Sequence, residues 1–484
     1  MENPLWVQSA TVVVQLLRDK KVTPLQLIDV AEARIKENDT IVNAVPTLCF
    51  ERARRQAHEL AQRPVPHTPG PGYLFGLPIV VKDLTAVEGV RFTEGSLLHK
   101  DRIAEHSDPL VEVLEANGAI IIGKSNTPEF GAGGNTFNEV FGVTRNPWDT
   151  RKTAGGSSGG SAAALAAGQA WLATGSDLGG SLRIPAAFCG VVGMRPSPGV
   201  VLQRWAPKAP PSGADAGGVA GLDGPMARSV GDLALALDAM AARHPRDPHS
   251  PLPPAQPFAV AAAAGAALAR QNRRWRVGFT PDLGGIAPVE PETAALCRAA
   301  AQRCRELGAQ VADACPDLHD AAHVFQVLRA AWFVDAAPLL REPARSVIKA
   351  ELVWQIEAGL RLTESEQVAA AVAAQAALCQ RVDAFFESHD FLLCPVTMVA
   401  PFDAEVRWVQ EVQGVRFSNY SEWLLMTSSL SLAPVPALSL PVALTGNGLP
   451  VGLQIVGPPG GDAAVIELAA ALERLIGTPV RPEL

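Results

Sequence analysis

Residues of three kinds in this 484-residue chain could together carry acyl-transfer chemistry. Lys82 ends an apolar run, Ser157 and Ser158 sit in Ala154-Gly-Gly-Ser-Ser-Gly-Gly-Ser161, and Ser181 closes the sequence Asp177-Leu-Gly-Gly-Ser181. The chemistry would be nucleophilic catalysis. A serine hydroxyl attacks poorly until a base removes its proton, and a departing amine must receive one. Glycine–serine richness alone would read as a flexible linker. A linker, however, would not be embedded among apolar strand-like runs or followed by Arg183 and Pro185.

The pattern extends well beyond the serines. It includes Gly76-Leu-Pro-Ile-Val-Val-Lys82-Asp83, Gly123-Lys-Ser-Asn-Thr-Pro-Glu129, Asn146-Pro-Trp148, Thr174 to Gly190, and Gly448-Leu-Pro-Val-Gly-Leu-Gln-Ile-Val-Gly457. A strand-borne lysine, a double serine among glycines and a second serine 181 − 157 = 24 residues later stand in a specific order. On these motifs the chain closely resembles the amidase signature family over most of its length, most weakly between residues 200 and 430. The resemblance implies hydrolysis of carboxamide C–N bonds through an acyl-enzyme. Ser181 would be the nucleophile, Ser157, behind a cis peptide from Gly156, the proton relay, and Lys82 the terminal base.

It further implies an oxyanion hole at Leu178, Gly179, Gly180 and Ser181, where losing one donor typically costs roughly 100-fold or more in rate. Gly131, 157 − 131 = 26 residues before Ser157, matches a position whose carbonyl faces the reacting group, so Gly131 and Ser157 are expected at the substrate. Asp177 and Arg183 are expected to brace the nucleophile loop, Ser158 to support the relay, Ser161 to start a helix, and Lys124 to be structural. For Lys82 to accept a proton it must be neutral, against an ordinary pKa near 10.4. Burial beside Leu77–Val81 would supply the shift, and Asp83 would oppose it unless its carboxylate points away, which is the expectation.

The family's substrates include aliphatic, aryl, fatty-acid and peptide amides, carbamates, and glutamine in transamidation complexes. Ile184 follows Arg183 where the glutaminase subunits resemble Arg-Gln-Pro, and residues 281–430 present no evident polar pocket for a zwitterion. Phe325, Trp332, Phe333, Trp354, Trp408, Tyr420 and Trp423 favour a small apolar or aryl amide, with carbamate, ester or glutamine hydrolysis as alternatives. The stretch Ser428-Ser-Leu-Ser-Leu-Ala433 departs from the family's Thr-Gly-rich pattern and puts pocket geometry in doubt. Neither an organic cofactor nor a metal is required. The partners are a small-molecule amide and water, and a homodimer is left open.

Other motifs compete and lose on context. Gly118-Ala-Ile-Ile-Ile-Gly-Lys-Ser125 formally fits a phosphate loop, but its variable positions belong in a buried strand and Pro128 disfavours a following helix. Ser346-Val-Ile-Lys349 fits S-x-x-K without its K-T-G or S-D-N companions. Gly156-Ser-Ser-Gly-Gly160 fits a nucleophile elbow on Ser158, but Arg145–Ala154 is polar, contains Pro147, and is not expected to feed it as a strand. His319 and His323 have i, i+4 spacing without the H-E-x-x-H glutamate. Seven cysteines form no C-x-x-C pair, so neither a disulfide framework nor a zinc ribbon is indicated.

The elements that must position these residues alternate in type. Helices are expected at 9–20 and 23–36, the second capped by Thr23 with Pro24 at its first position. Strands are expected at 77–81, 120–122, 171–174, 274–280, 436–442 and 449–456. Helices should occupy 109–116, 161–167, 230–242, 291–307, 344–380 and 463–475. The expected fold is α/β: a large mixed twisted sheet with helices on both faces. One domain would span 1–484, with a helical cap-like insertion at about 281–430 and proline-rich surface excursions at about 206–211 and 245–257.

Composition narrows the partners. A net charge of −8 and no basic excess argue against nucleic acid. The longest apolar stretches fall short of the roughly 18–20 residues that cross a bilayer, and the first 20 residues lack signal-peptide order, so a cytoplasmic protein is expected.

Overall fold

Short apolar runs separated by glycine turns assemble most of the chain around one sheet. The computed structural model describes residues 4–63, 68–202, 221–241, 244, 254–268, 274–362, 366–477 and 482–484. Among the described residues eleven strands form a single mixed sheet. From one edge the order is Thr47–Leu48, Ile120–Ser125, Pro78–Lys82, Leu172–Asp177, Leu222–Ala227 and Val192–Arg195. It continues through Ala437–Leu444, Pro450–Val456, Phe391–Pro395, Arg276–Phe279 and Gln310–Asp313. Pro78–Lys82 runs parallel to both neighbours, the central pairs are antiparallel, and Arg276–Phe279 is again parallel to both of its neighbours.

Both faces are covered, which the strands themselves record. Along Phe391–Pro395, Phe391 and Leu393 join one hydrophobic core, and Leu392 and Cys394 join the other. Period-two alternation with both sets apolar is the signature of a strand sandwiched between helices. The first core takes Leu27, Ile28, Leu233, Leu237 and Leu468, and the second takes Phe325, Leu378 and Val382. Ser9 caps Ala10–Arg18, and Thr23 and Gln26 close a capping box on Pro24–Val42.

Several expectations are corrected. Pro24–Val42 outruns its expected end at Lys36 and stops at left-handed Asn43, where Asp39 receives the amides of Ala44 and Val45. The 344–380 region divides into a short 3-10 turn at Ala344–Ser346, the helix Ala350–Leu362 and the helix Gln367–Ser388. Residues 281–430 are not wholly helical: the fully buried, apolar Phe391–Pro395 pairs on both sides within the main sheet, and Gln310–Asp313, with only Val311 buried, forms its edge. Asp149–Thr153 does form a strand, paired with Arg145–Asn146 in a separate ribbon that leads into the glycine–serine loop. The excursion at 206–211 and most of that at 245–257 lie outside the described residues. Among the described residues no helix is long and apolar enough to cross a membrane.

The helix Gly159–Ala166 is buried at every residue. Its fit depends on Gly160, where a Cβ would lie 2.3 Å from the Asn126 amide nitrogen. This close approach seats the serine loop against the ends of the parallel strands.

Candidate active site

Lys82 is the last residue of Pro78–Lys82, and its neighbour strand Leu172–Asp177 brings Ser176 alongside. The lysine is fully buried. Its Nζ donates to Ser157 Oγ at 2.7 Å, Ser158 Oγ at 2.8 Å and Ser176 Oγ at 3.0 Å, all neutral oxygens. Asp83 points away, as expected. Its Oδ1 pairs with Lys124 Nζ at 2.8 Å, and its Oδ2 accepts from Thr93 Oγ1 at 2.6 Å. The phosphate-loop look-alike is therefore a buried strand, Ile120–Ser125, whose lysine neutralises Asp83.

The peptide between Gly156 and Ser157 is cis. Thr136 Oγ1 holds this loop from the side, donating to Gly155 O at 2.7 Å and accepting from Gly159 N at 3.2 Å. Ser158 stands at the start of the helix Gly159–Ala166 without capping it, since its hydroxyl meets Lys82. Ser161 Oγ donates to Thr174 O at 2.7 Å and lies 2.7 Å from Ser125 Oγ, tying the helix to two strands. Gly131 lies beside Ser157: a Cβ there would sit 3.5 Å from Ser157 Oγ.

Ser181 is half-buried and follows the strand that ends at Asp177. Its carbonyl accepts from Ser158 N at 3.1 Å, which joins the two serine loops. Asp177 and Arg183 are both fully buried and bracket this turn. Asp177 Oδ1 accepts from Gly180 N at 2.7 Å and Arg183 Nη2 at 2.9 Å, while Oδ2 accepts from Leu182 N at 3.1 Å and Arg183 Nε at 2.9 Å. Arg183 also donates to Thr427 O at 3.1 Å, Gln454 Oε1 at 2.6 Å and Ser431 Oγ at 2.7 Å. Five donated bonds match the five N–H groups of a guanidinium. Burial alone would push the Asp177 carboxyl up, but Arg183 and Arg195 outweigh it and hold the group well below the usual carboxylate range.

This clamp corrects one expected donor. The Gly180 N–H is committed to Asp177, so of the four amides expected to face an oxyanion only those of Leu178, Gly179 and Ser181 lack a protein acceptor among the described residues. Gly179 is held from the other side, where its carbonyl accepts from Thr427 Oγ1 at 2.7 Å and the Phe325 ring packs against its Cα. Among the expected aromatics, Phe325 thus reaches the loop and Trp332 is exposed on the surface.

Sequence reasoning missed Ser176, Thr136 and Thr427; only their proximity in the fold reveals them. It weighed Lys349 only within S-x-x-K, as an exposed helix residue, and this is corrected: its backbone N–H bonds Glu129 Oε2 at 2.8 Å and its Nζ donates to Ala132 O, one residue from Gly131. Burial pushes the Lys349 ammonium down to about 8. The expectation of no polar pocket in residues 281–430 is corrected as well: Arg329, Gln355 and Tyr420 form a buried polar cluster there. His319 is exposed and pairs with Asp317 at 2.8 Å.

The sequence profile of the family described as Amidase matches residues 26–466. An acylamidase of Rhodococcus erythropolis is 33% identical over 483 residues, covering 98% of this chain and 96% of that protein. One of the subunits of the glutamyl-tRNA(Gln) amidotransferase of Moorella thermoacetica is 33% identical over 494 residues, covering 97% of each chain. The solved structure of a bacterial aryl acylamidase of the amidase signature enzymes superposes with a TM-score of 0.85 at 28% identity, covering 97% of this chain and 96% of that one.

Proposed function

We propose, from the premise that this chain belongs to the amidase family and is an amidohydrolase, that it cleaves amides with Ser181 as nucleophile, Ser157 as relay and Lys82 as base. One observation carries this reading: fully buried Lys82 Nζ lies 2.7 Å from Ser157 Oγ. Burial strips water from an ammonium and so favours the neutral amine. The amine takes the Ser157 proton as Ser157 takes that of Ser181, and Ser181 Oγ bonds the carbonyl carbon. The tetrahedral oxyanion faces the amides of Leu178, Gly179 and Ser181, donors fixed before the reaction begins.

Collapse of the intermediate breaks the C–N bond. Lys82 returns a proton through Ser157 to the leaving nitrogen, which departs as a neutral amine. Water then attacks the acyl-enzyme, giving its proton to the same relay, and Ser181 recovers its own. Asp177 and Arg183 are positioning residues, since they meet the loop amides and not the reacting atoms. Gly131 serves the substrate beside Ser157, and Ser158 and Ser176 keep Lys82 Nζ directed at the relay. The chain works as one domain, with the helical part of residues 281–430 forming a wall over the 178–181 loop.

Phe325 against Gly179 supports an apolar or aryl group close to the reacting carbonyl. Similarity to one chain of an amidotransferase sustains a second reading, in which glutamine is the amide hydrolysed. Turnover of anilides, primary amides, esters, carbamates and glutamine by the purified chain, without ATP or partner proteins, separates the two. Wild type should hydrolyse anilides and Ser181→Ala should lose at least a thousandfold in kcat. Full activity in the alanine variant would refute the assignment of the nucleophile.

A further inference from the structure

The wall above the 178–181 loop holds a cation of a different kind from Arg183. Arg329 lies one helical turn after Phe325 on Ala321–Trp332 and is 6% exposed. Its Nε donates to Gln355 Oε1 at 3.2 Å and its Nη2 to Tyr420 Oη at 2.8 Å. Around it stand the rings of Phe325, Phe333 and Tyr420, with centroids 6.0, 5.3 and 5.5 Å from the guanidinium carbon. Among the described residues no carboxylate pairs with it.

Arg183, by comparison, donates five bonds and is paired with a bidentate carboxylate. Arg329 has two bonds to neutral oxygens. Beside it Gln355, 0% exposed, turns its oxygen to Arg329 and Tyr420, which leaves its Nε2 with no hydrogen-bond partner among the described residues. Reversing that amide would set its N–H groups against the Arg329 Nε–H, which cannot accept, so the orientation is fixed by the arginine. A buried cation without a carboxylate and, beside it, a buried amide N–H without an acceptor among the described residues define the complement they lack.

We propose that Arg329 and Gln355, with Tyr420 holding them, form a substrate subsite for a carboxylate on the amide being cleaved. This rests on the reading that the 178–181 loop receives the reacting carbonyl. Phe325 bridges the two places, with its ring against Gly179 on one side and Arg329 on the other. An amide with an apolar or aryl portion between its carbonyl and a terminal carboxylate spans them. Lys349 lies on the Gly131 side of the site; burial depresses its pKa, Glu351 and Glu129 oppose that shift, and Arg407 and Arg329 add to it.

The test uses pairs of aryl amides matched in size, with the carboxylate on the acyl portion in one series and on the amine portion in the other, each against its uncharged primary-amide isostere. Wild type should prefer the carboxylate member of one series by at least tenfold in kcat/KM, and Arg329→Met should reduce that ratio at least tenfold. Independently of turnover, benzoate should bind wild type at least tenfold more tightly than benzamide. The readout is tryptophan fluorescence, since Trp354 packs edge-on against Tyr420. A ratio at or below one in both series, or benzoate binding no tighter than benzamide, overturns the subsite. Uncharged amides still hydrolysed in that case would leave the Ser181 mechanism standing. Absence of hydrolysis with benzoate bound selectively would instead leave a carboxylate-binding site but overturn the mechanism, and with it the assignment of that site to the substrate.

Discussion

Replacing Asp177 by Asn preserves the side chain's size but removes its charge and turns one of its two oxygens into an N–H donor. Either orientation of the new amide loses two of the four bonds Asp177 accepts. Nitrogen in the Oδ1 position opposes Gly180 N and Arg183 Nη2, and in the Oδ2 position it opposes Leu182 N and Arg183 Nε. Both outcomes leave the fully buried Arg183 without its counter-ion. Breaking one side of such a pair typically costs about 3–5 kcal/mol. One loop amide also loses its acceptor, and a shift of the loop by about 1 Å is worth roughly 100-fold in rate. Equilibrium denaturation and kcat/KM on an anilide measure the two effects. Because Arg183 and Arg195 hold the native carboxyl low, Asp177 is ionised in both folded and unfolded chains above about pH 5. The stabilising effect of that low pKa is present above the unfolded value and is lost only as pH falls toward the native one. The stability gap between wild type and Asp177→Asn should accordingly stay flat from about pH 5 to 9. An unchanged unfolding midpoint with kcat/KM within threefold of wild type would refute the clamp.

Gly180→Ala should also inactivate. Its Cβ would stand 2.2 Å from Thr427 Oγ1 at a φ of +128°, displacing the hydroxyl that holds Gly179, and kcat/KM should fall roughly 100-fold or more. A variant with normal turnover would show that the contact does not position the loop. Glu473 accepts the Val230 amide at 3.0 Å, and burial, reinforced by nearby Asp232, pushes its carboxyl up to about 7. The folded state therefore retains a proton that the unfolded chain releases near pH 4.5. This contribution is full below that pH and is lost as pH rises through about 7. Glu473→Gln should be more stable than wild type at pH 8 by about 1–3 kcal/mol and show no such gain at pH 4.5. A pH-independent difference in denaturation midpoint would contradict this.

Much of the local architecture was readable because it depends on neighbours in the chain. Pro109–Ala116 matches its expected bounds, and Val230–Met240 ends two residues short of them; both carry their start signals and apolar pattern locally. Helix ends set by distant partners were read less well. The extension of Pro24–Val42 past Lys36 goes with Arg34 and Asn38 bonding Ala167 O, 133 and 129 residues away. Segments such as Asp149–Thr153 were misjudged because a polar ribbon carries no apolar alternation.

By itself, the amino-acid sequence determined the inventory of the site: a lysine at a strand end, glycines that let two serine loops turn tightly, and an Asp–Arg pair six residues apart. The tertiary structure decided how each is used. It turned Asp83 toward Lys124, gave Lys82 the hydroxyls of Ser158 and Ser176 besides that of Ser157, and committed the Gly180 amide to Asp177. It completed Arg183 with Gln454 and Ser431, which lie 271 and 248 residues away, and left Arg329 with neutral partners 26 and 91 residues away. The physical reason is that a buried polar group must be matched by whatever the fold brings within about 3 Å, and periodicity along a chain carries no record of that match.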